Sequence, residues 1–140
     1  MHSVFDGVET LLLDLDGTLL DLAYDNYFWE ELIPAAYAAE HGLDPEAAVI
    51  EVRERIARER GTLNWYSLKF WTRALELDVL ALKRSCADRI GYLEGAPAFL
   101  ETARASGYRL VLVTNSARAL LDIKHDRTGV CHYMDAVYSS

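Results

Sequence analysis

The sequence is short of everything that staples, anchors or extends a chain. Its two cysteines, Cys86 and Cys131, lie far apart with no metal-type pairing. That excludes a disulfide framework and a zinc module, and two reduced thiols suit a cytoplasmic protein. No stretch approaches the 18 apolar residues that a membrane-spanning helix requires, so no membrane partner is expected. The opening MHSVFDGVET has neither a basic start nor a continuous apolar run, so no secretory signal is expected. Basic residues are the minority, 14 Lys and Arg against 22 Asp and Glu, for a formal net charge of −8. Binding to a phosphate backbone needs clustered Lys and Arg, so a nucleic-acid partner is excluded as well. No repeat, low-complexity tract or linker interrupts the chain. The hydrophobic fraction of 51% across 140 residues can supply the core of one ordinary domain.

The chain does contain one concentrated signal. Residues 11–20 read LLLDLDGTLL, an unbroken apolar run that ends in Asp14 and Asp16, followed by Gly17 and Thr18. A strand alternates its side chains with a period of two, so both carboxylates are expected to leave the same face. The apolar residues do not alternate, which predicts a strand over 9–14 buried on both faces, as in a parallel sheet. In open α/β sheets the carboxyl ends of the strands are where ligands bind. Two carboxylates held together there repel, and a cation or a shared proton is needed to tolerate them. An Asp-Gly turn whose carboxylates merely cap the next helix is the plainer alternative.

The rest of the chain reads as a long helical block and then strand, helix, strand. Asp44-Pro45 opens a helix that Gly61 closes, with Ala48, Val52, Ile56 and Ala57 at spacings that suit one face. A helix is predicted near 64–75 and another after Asp78, while Pro34 kinks or breaks an earlier one. Pro97 and Gly107 bracket a helix over 97–106. RLVLVT at 109–114 predicts a buried strand, 117–127 a helix, and the terminal AVYSS one more strand. Residues 1–22 and 92–140 thus read as a discontinuous α/β core, and 23–91 as an inserted helical cap. Such an insertion emerges at the carboxyl edge of the sheet, beside Asp14 and Asp16, where it can act as a lid that excludes water.

A second motif is VLVTNS at 111–116. The Thr114 hydroxyl and the backbone N–H groups at the start of the next helix, from Asn115 on, can hold an anionic phosphoryl group. Taken alone, Thr114 also reads as an ordinary helix N-cap.

Together, DLDGTLLD and VLVTN resemble motifs I and II of the haloacid dehalogenase (HAD) superfamily, and the helical block is similar to its α-helical type-1 cap. DLDGTLLDLAYDNYFWEELIP and TLNWYSLKFW at 62–71 further resemble the GMP/IMP nucleotidase branch. The resemblance implies an α/β fold: a HAD-like Rossmannoid parallel sheet, incomplete here, with an inserted α-helical cap. It implies a Mg²⁺-dependent phosphomonoesterase acting on a nucleoside monophosphate. Asp14 would attack phosphorus and Asp16 would protonate the leaving hydroxyl. The Asp14 carboxylate and the Asp16 carbonyl would hold Mg²⁺, a hard cation that prefers oxygen. Thr114 and Asn115 would bind phosphate. A phosphosugar or phosphoglycolate substrate is the runner-up.

The family also needs a basic residue after the third strand and an acidic pair after the fourth, and both should follow Ser140. The chain therefore resembles the amino-terminal two-thirds of such an enzyme, and a fragment without turnover is the alternative reading. The family's strand order would then leave 9–14 at a sheet edge, open to self-association. Lys124 comes too early to be the basic residue and reads as a solvated helix lysine. Eight aromatics crowd two cap segments: Tyr24, Tyr27, Phe28, Trp29, Trp65, Tyr66, Phe70 and Trp71. Most are expected in the cap core. Trp65 is taken as a base-stacking candidate, with Asn26, Asn64 and Lys69 as polar neighbours.

Overall fold

The computed structural model describes residues 4–140. Met1–Ser3, which begin the amino-terminal stretch read above, lie outside the described residues. Three parallel strands, β1 (Thr10–Leu13), β2 (Arg109–Thr114) and β3 (Ala136–Ser139), form a sheet in the order β1-β2-β3. Between β1 and β2 run α1 (Ala23–Tyr27), a π-helical turn at Phe28–Leu32, α2 (Ile33–His41), α3 (Pro45–Glu59), α4 (Leu68–Leu75), α5 (Val79–Ser85) and α6 (Ala96–Ala105). The helix α7 (Arg118–Thr128) connects β2 to β3. The chain is thus α/β, with a small parallel sheet and many helices.

Both crossovers advance across the sheet in the same direction. Right-handed connections therefore put α6 and α7 on one face. Leu110 and Leu112 of β2 are fully buried there, with Leu100 and Ala103 of α6 and Leu121 and Ile123 of α7 in the same core. The other face is largely open: Leu12 is 72% exposed, Val113 46% and Tyr138 62%. This corrects the expectation of a strand buried on both faces. The apolar run over 11–13 is covered on one side only, and among the described residues β1 lies at the edge of the sheet.

The helical insertion joins the core through a narrow pair of crossings. Leu20 bridges Tyr92 in antiparallel fashion, the Asp21 N–H donates to the Gly91 carbonyl at 2.9 Å, and the Leu93 N–H donates to Leu19 at 2.9 Å. Departure and return of the chain are stitched side by side.

Local capping matches the sequence in several places. Asp44 accepts from Glu46 N at 3.1 Å and opens α3, and Asp78 accepts from Ala81 N at 3.0 Å and opens α5. Three local expectations change. Ala48 and Val52 are buried and Ile56 is half-buried, but Ala57 is exposed. At roughly 100° per residue it points about 180° away from Ala48. The helix expected near 64–75 is split into a tight turn at Leu63–Tyr66 and then α4. Ser67 makes the break, because its hydroxyl accepts the Phe70 N–H at 3.1 Å and starts a new helix. Pro34 sits in the first turn of α2, where its missing N–H is tolerated, directly after the π-helical turn.

Candidate active site

A cleft of about 570 Å³ lies where the helical insertion meets the carboxyl ends of β1 and β2. Asp14 follows β1 directly and is exposed on the cleft wall. β1 ends at Leu13, so the period of two does not extend to Asp16. Asp16 lies instead in a tight loop in which Thr18, Leu19 and Leu20 N–H groups all point to the Leu15 carbonyl, and the Gly17 N–H donates to Leu20. Gly17 adopts φ 76°, and a Cβ there would come within 3.4 Å of Leu22. Glycine is therefore the residue that lets the loop turn.

Asp16 meets a cation of the protein itself, whereas the Asp14 carboxylate has none among the described residues. Lys124 Nζ donates to Asp16 Oδ1 at 2.7 Å and to Asp25 Oδ2 at 3.1 Å. Asp25 Oδ1 in turn accepts from Lys83 Nζ at 3.0 Å. Both lysines are 2% exposed, and the side chains of Asp16 and Asp25 are 29% and 22% exposed. Lys83 Nζ also sits 3.9 Å from the Phe28 ring centroid and 5.0 Å from that of Tyr24, whose hydroxyl donates to the Lys83 carbonyl at 2.8 Å. Burial raises the pKa of Asp16 above the usual carboxylate value, with Lys124 opposing. Burial also pushes Asp25 upward, but the two ammonium groups outweigh it and hold that carboxyl below its ordinary value. Burial lowers the pKa of Lys83, with Asp25 opposing.

Lys124 is thus not a solvated helix lysine. It is buried in α7 and bridges the loop after β1 to α1. The sequence reading also missed Lys83 and Asp25. A signal existed for the lysines. Lys124 falls three and four residues after Leu121 and Leu120, and Lys83 four after Val79, which places each on the apolar stripe of its helix.

Thr114 is 7% exposed at the end of β2. Its hydroxyl oxygen accepts the Ser116 N–H at 3.0 Å in a local turn, while the N-cap of α7 is Ala117, so Thr114 is not an ordinary helix N-cap and its hydroxyl proton stays free to donate. Asn115 lines the cleft, and its carbonyl accepts from the Ser140 hydroxyl at 2.7 Å. Ser116, not singled out from sequence, has a buried hydroxyl without a partner among the described residues. Its Oγ and the uncapped first turn of α7 add donors to a place suited to an anion.

In the insertion, Asn26 and Trp65 both line the cleft, together with Trp29, Tyr66 and Trp71. Tyr24, Phe28 and Trp71 are buried in the core, and Tyr27, Trp29 and Phe70 are partly buried against it. Lys69 is exposed and does not line the cleft. It lies on α4 roughly 200° around the helix from Trp71, which faces inward, so its candidacy as a substrate contact is corrected. Asn64 donates to Glu59 Oε2 at 3.1 Å and ties down a turn.

The donor set suits a hard cation in part. Asp14 offers a free carboxylate, and the Asp16 carbonyl accepts none of the loop's hydrogen bonds, which run to Leu15 and Leu20. Among the described residues no group of three or more His, Cys, Asp or Glu is placed to hold a metal. These two oxygens fit an ion such as Mg²⁺ that keeps several of its waters.

Paired aspartates after the first strand of a parallel sheet, a hydroxyl and open amides after the second, and a helical insertion above them define a HAD-type hydrolase site. The sequence model of the haloacid dehalogenase-like hydrolase family matches residues 11–140, and the chain belongs to that family. It is 40% identical over its whole length to the GMP/IMP nucleotidase YrfG of Escherichia coli and spans 63% of that relative. The crystal structure of a HAD phosphatase from Thermococcus onnurineus matches 94% of this chain and 62% of its own, with a TM-score of 0.81 and 22% identity. The HAD-hydrolase YfnB from Bacillus subtilis, described as bound to magnesium, matches 94% of this chain and 65% of its own, at TM-score 0.58 and 16% identity. At those identities the two structures show the fold alone. Among the described residues no helix is long and apolar enough to cross a membrane.

Proposed function

We propose that this chain carries the nucleophile and the phosphate-binding end of a phosphomonoesterase acting on purine 5′-mononucleotides. The observation that carries the proposal is the placement of Asp14, Asp16 and Thr114 around one cleft that Trp29, Trp65 and Tyr66 also line. The similarity to a protein named GMP/IMP nucleotidase supports the choice of substrate. In this reading the helices over 23–91 are a cap on a core made of 1–22 and 92–140. The two free thiols, Cys86 and Cys131, support a cytoplasmic setting.

An Asp14 oxygen attacks phosphorus, and that bond forms as the bond to the ribose 5′-oxygen breaks. Asp16 passes its proton to the departing oxygen and later takes one from the water that cleaves the aspartyl phosphate. Burial raises the Asp16 pKa, which favours the protonated form needed for the first step. The Thr114 hydroxyl, the Ser116 hydroxyl and the first amides of α7 hold the phosphoryl oxygens. Asp14 and the Asp16 carbonyl would hold Mg²⁺, which when bound neutralises charge on the nucleophile and the phosphate. The cap aromatics take the base, since stacking on an aromatic ring contributes about 1–3 kcal/mol per base.

Phosphate release from IMP, GMP, AMP and phosphoglycolate, with and without Mg²⁺, tests the proposal. Preference for IMP and GMP supports it. Preference for phosphoglycolate would move the substrate to the small phosphorylated acids, and no release from any of the four by a form extended to the length of the relative would overturn it.

A further inference from the structure

We propose that Lys124 is the positioning residue for Asp16, and that Asp25, anchored by Lys83, is what holds Lys124 on that aspartate. This rests on the phosphomonoesterase reading above and assigns the parts that orient its proton donor.

The four side chains form a chain in which carboxyl and ammonium groups alternate: Asp16, Lys124, Asp25, Lys83. Its links are 2.7, 3.1 and 3.0 Å long. The members come from four separate segments: the loop after β1, α7, α1 and α5. Two of them, Asp16 and Lys124, flank the sheet, and the other two belong to the helical insertion. A lysine that is 2% exposed must be paired, because an isolated buried ammonium is costly. Lys124 therefore cannot leave Asp16 and Asp25 for solvent without a large penalty. Asp25 is fixed by a second buried ammonium, which is itself packed against the Phe28 and Tyr24 rings. The position of Lys124 is thus set from the insertion side.

The contact dictates which Asp16 oxygen can do chemistry. An ammonium has three donors and no acceptor, so Oδ1 can only accept from Lys124. Proton transfer to a leaving oxygen must pass through Oδ2. With Oδ1 pinned, rotation of the carboxyl group is suppressed, and Oδ2 is the oxygen left unbonded by Lys124 in a residue that lines the cleft. Without Lys124 the carboxyl is free to turn, and the proton spends less time aimed at the leaving group. Lys124 does not need to touch the phosphoryl group to have this effect.

The test uses leaving groups of different proton demand in the intact protein. Alkyl esters (IMP, glycerol phosphate) need a proton on the departing oxygen, whereas p-nitrophenolate leaves without one. Lys124→Met is expected to lower the ratio of alkyl to aryl kcat/KM, which reports the steps through departure of the leaving group, by ~100-fold, within the range of general-acid effects. Lys124→Arg keeps the two-sided contact and should restore most of the ratio. Asp25→Asn loosens Lys124 and should lower the ratio ~10-fold. In parallel, acylation of amines read by mass spectrometry should find Lys124 protected in the wild type and labelled at least ~10-fold faster in Asp25→Asn, with helical circular dichroism retained. Equal proportional losses in kcat/KM on alkyl and aryl esters would overturn the proposal and make Lys124 a contact to the phosphoryl group or a packing residue. Unchanged labelling of Lys124 in Asp25→Asn would overturn the anchoring half. A wild type that cleaves p-nitrophenyl phosphate and glycerol phosphate but no nucleotide removes only the purine assignment, and the ratio is then read on glycerol phosphate. A wild type that cleaves no ester removes the phosphomonoesterase reading itself.

Discussion

The Trp71 indole N–H donates to the Trp65 carbonyl at 3.0 Å, and the Trp71 ring meets Trp29 edge-on at 5.1 Å. A buried tryptophan thus clamps the backbone of a half-buried one that lines the cleft. The tight turn at Leu63–Tyr66 has no long helix to stiffen it, so this clamp presents Trp65 in a fixed place. Trp65→Ala is expected to raise KM for IMP and GMP by ~10-fold or more, in keeping with the loss of one base-stacking ring. The KM for p-nitrophenyl phosphate should change much less. Steady-state kinetics on both substrates measure this, and an equal rise would remove Trp65 from base recognition.

Asp14→Asn should reduce turnover at least ~10³-fold, because an amide is a poor nucleophile and a poor ligand for a hard cation. Asp14 is exposed and outside the core, so the melting temperature should scarcely move. Near-normal phosphate release from the variant would show that another group attacks phosphorus.

The charge chain predicts an acid-sensitive contribution to stability. The folded-state pKa of Asp25 lies below its ordinary value of 3.8, with Lys83 and Lys124 overcoming the effect of burial. The unfolded chain therefore binds this proton more readily than the folded one. The contribution is present in full above the ordinary value and is lost as pH falls through the depressed one. Asp16 runs the other way, since its raised pKa makes ionisation a cost to the fold at higher pH. Asp25→Asn should lower stability near pH 7 by about 3 kcal/mol, because two buried ammonium groups lose a charged partner. It should also flatten the acid limb below about pH 4. Thermal melts from pH 2 to 7 decide this, and parallel acid limbs for the two proteins would contradict it.

The open sheet face and the β1 edge predict association of the 140-residue chain with itself. Leu12 is 72% exposed on an edge strand that carries no lysine or proline to block pairing. Light scattering over a range of concentrations should show species above the 15.8 kDa monomer. Leu12→Glu should shift them toward monomer without lowering the unfolding free energy by more than about 1 kcal/mol. A monomer at all concentrations would remove the edge from consideration.

What the sequence disclosed was what local chemistry dictates. Asp44 and Asp78 announce their helices because a side-chain oxygen satisfies the first amides. The run into Asp14 and the run into Thr114 announce parallel strands because they are apolar without alternation. The polar interior was less legible. Asp25 and Lys83 are separated by 58 residues and Lys124 and Asp16 by 108, and no periodicity links such positions. Each lysine did occupy the apolar stripe of its helix, which marks burial but does not name a partner. Lys69 shows the opposite error. It was adjacent in sequence to cleft residues, but a helix turns neighbours to different sides.

The pairing of Leu11 with Leu110 joins strands separated by the whole helical insertion. Closing so long a loop costs entropy that is recovered only when the strands meet, so contacts within the insertion are expected to form first. Helices α2 and α3 can pack against each other through local contacts, whereas β1 must wait for β2. The two strand ends that carry Asp14 and Thr114 would then come together in the final, slowest step of folding. A newly made chain would hold formed helices of the insertion well before it holds the carboxylate and hydroxyl pair at the strand ends.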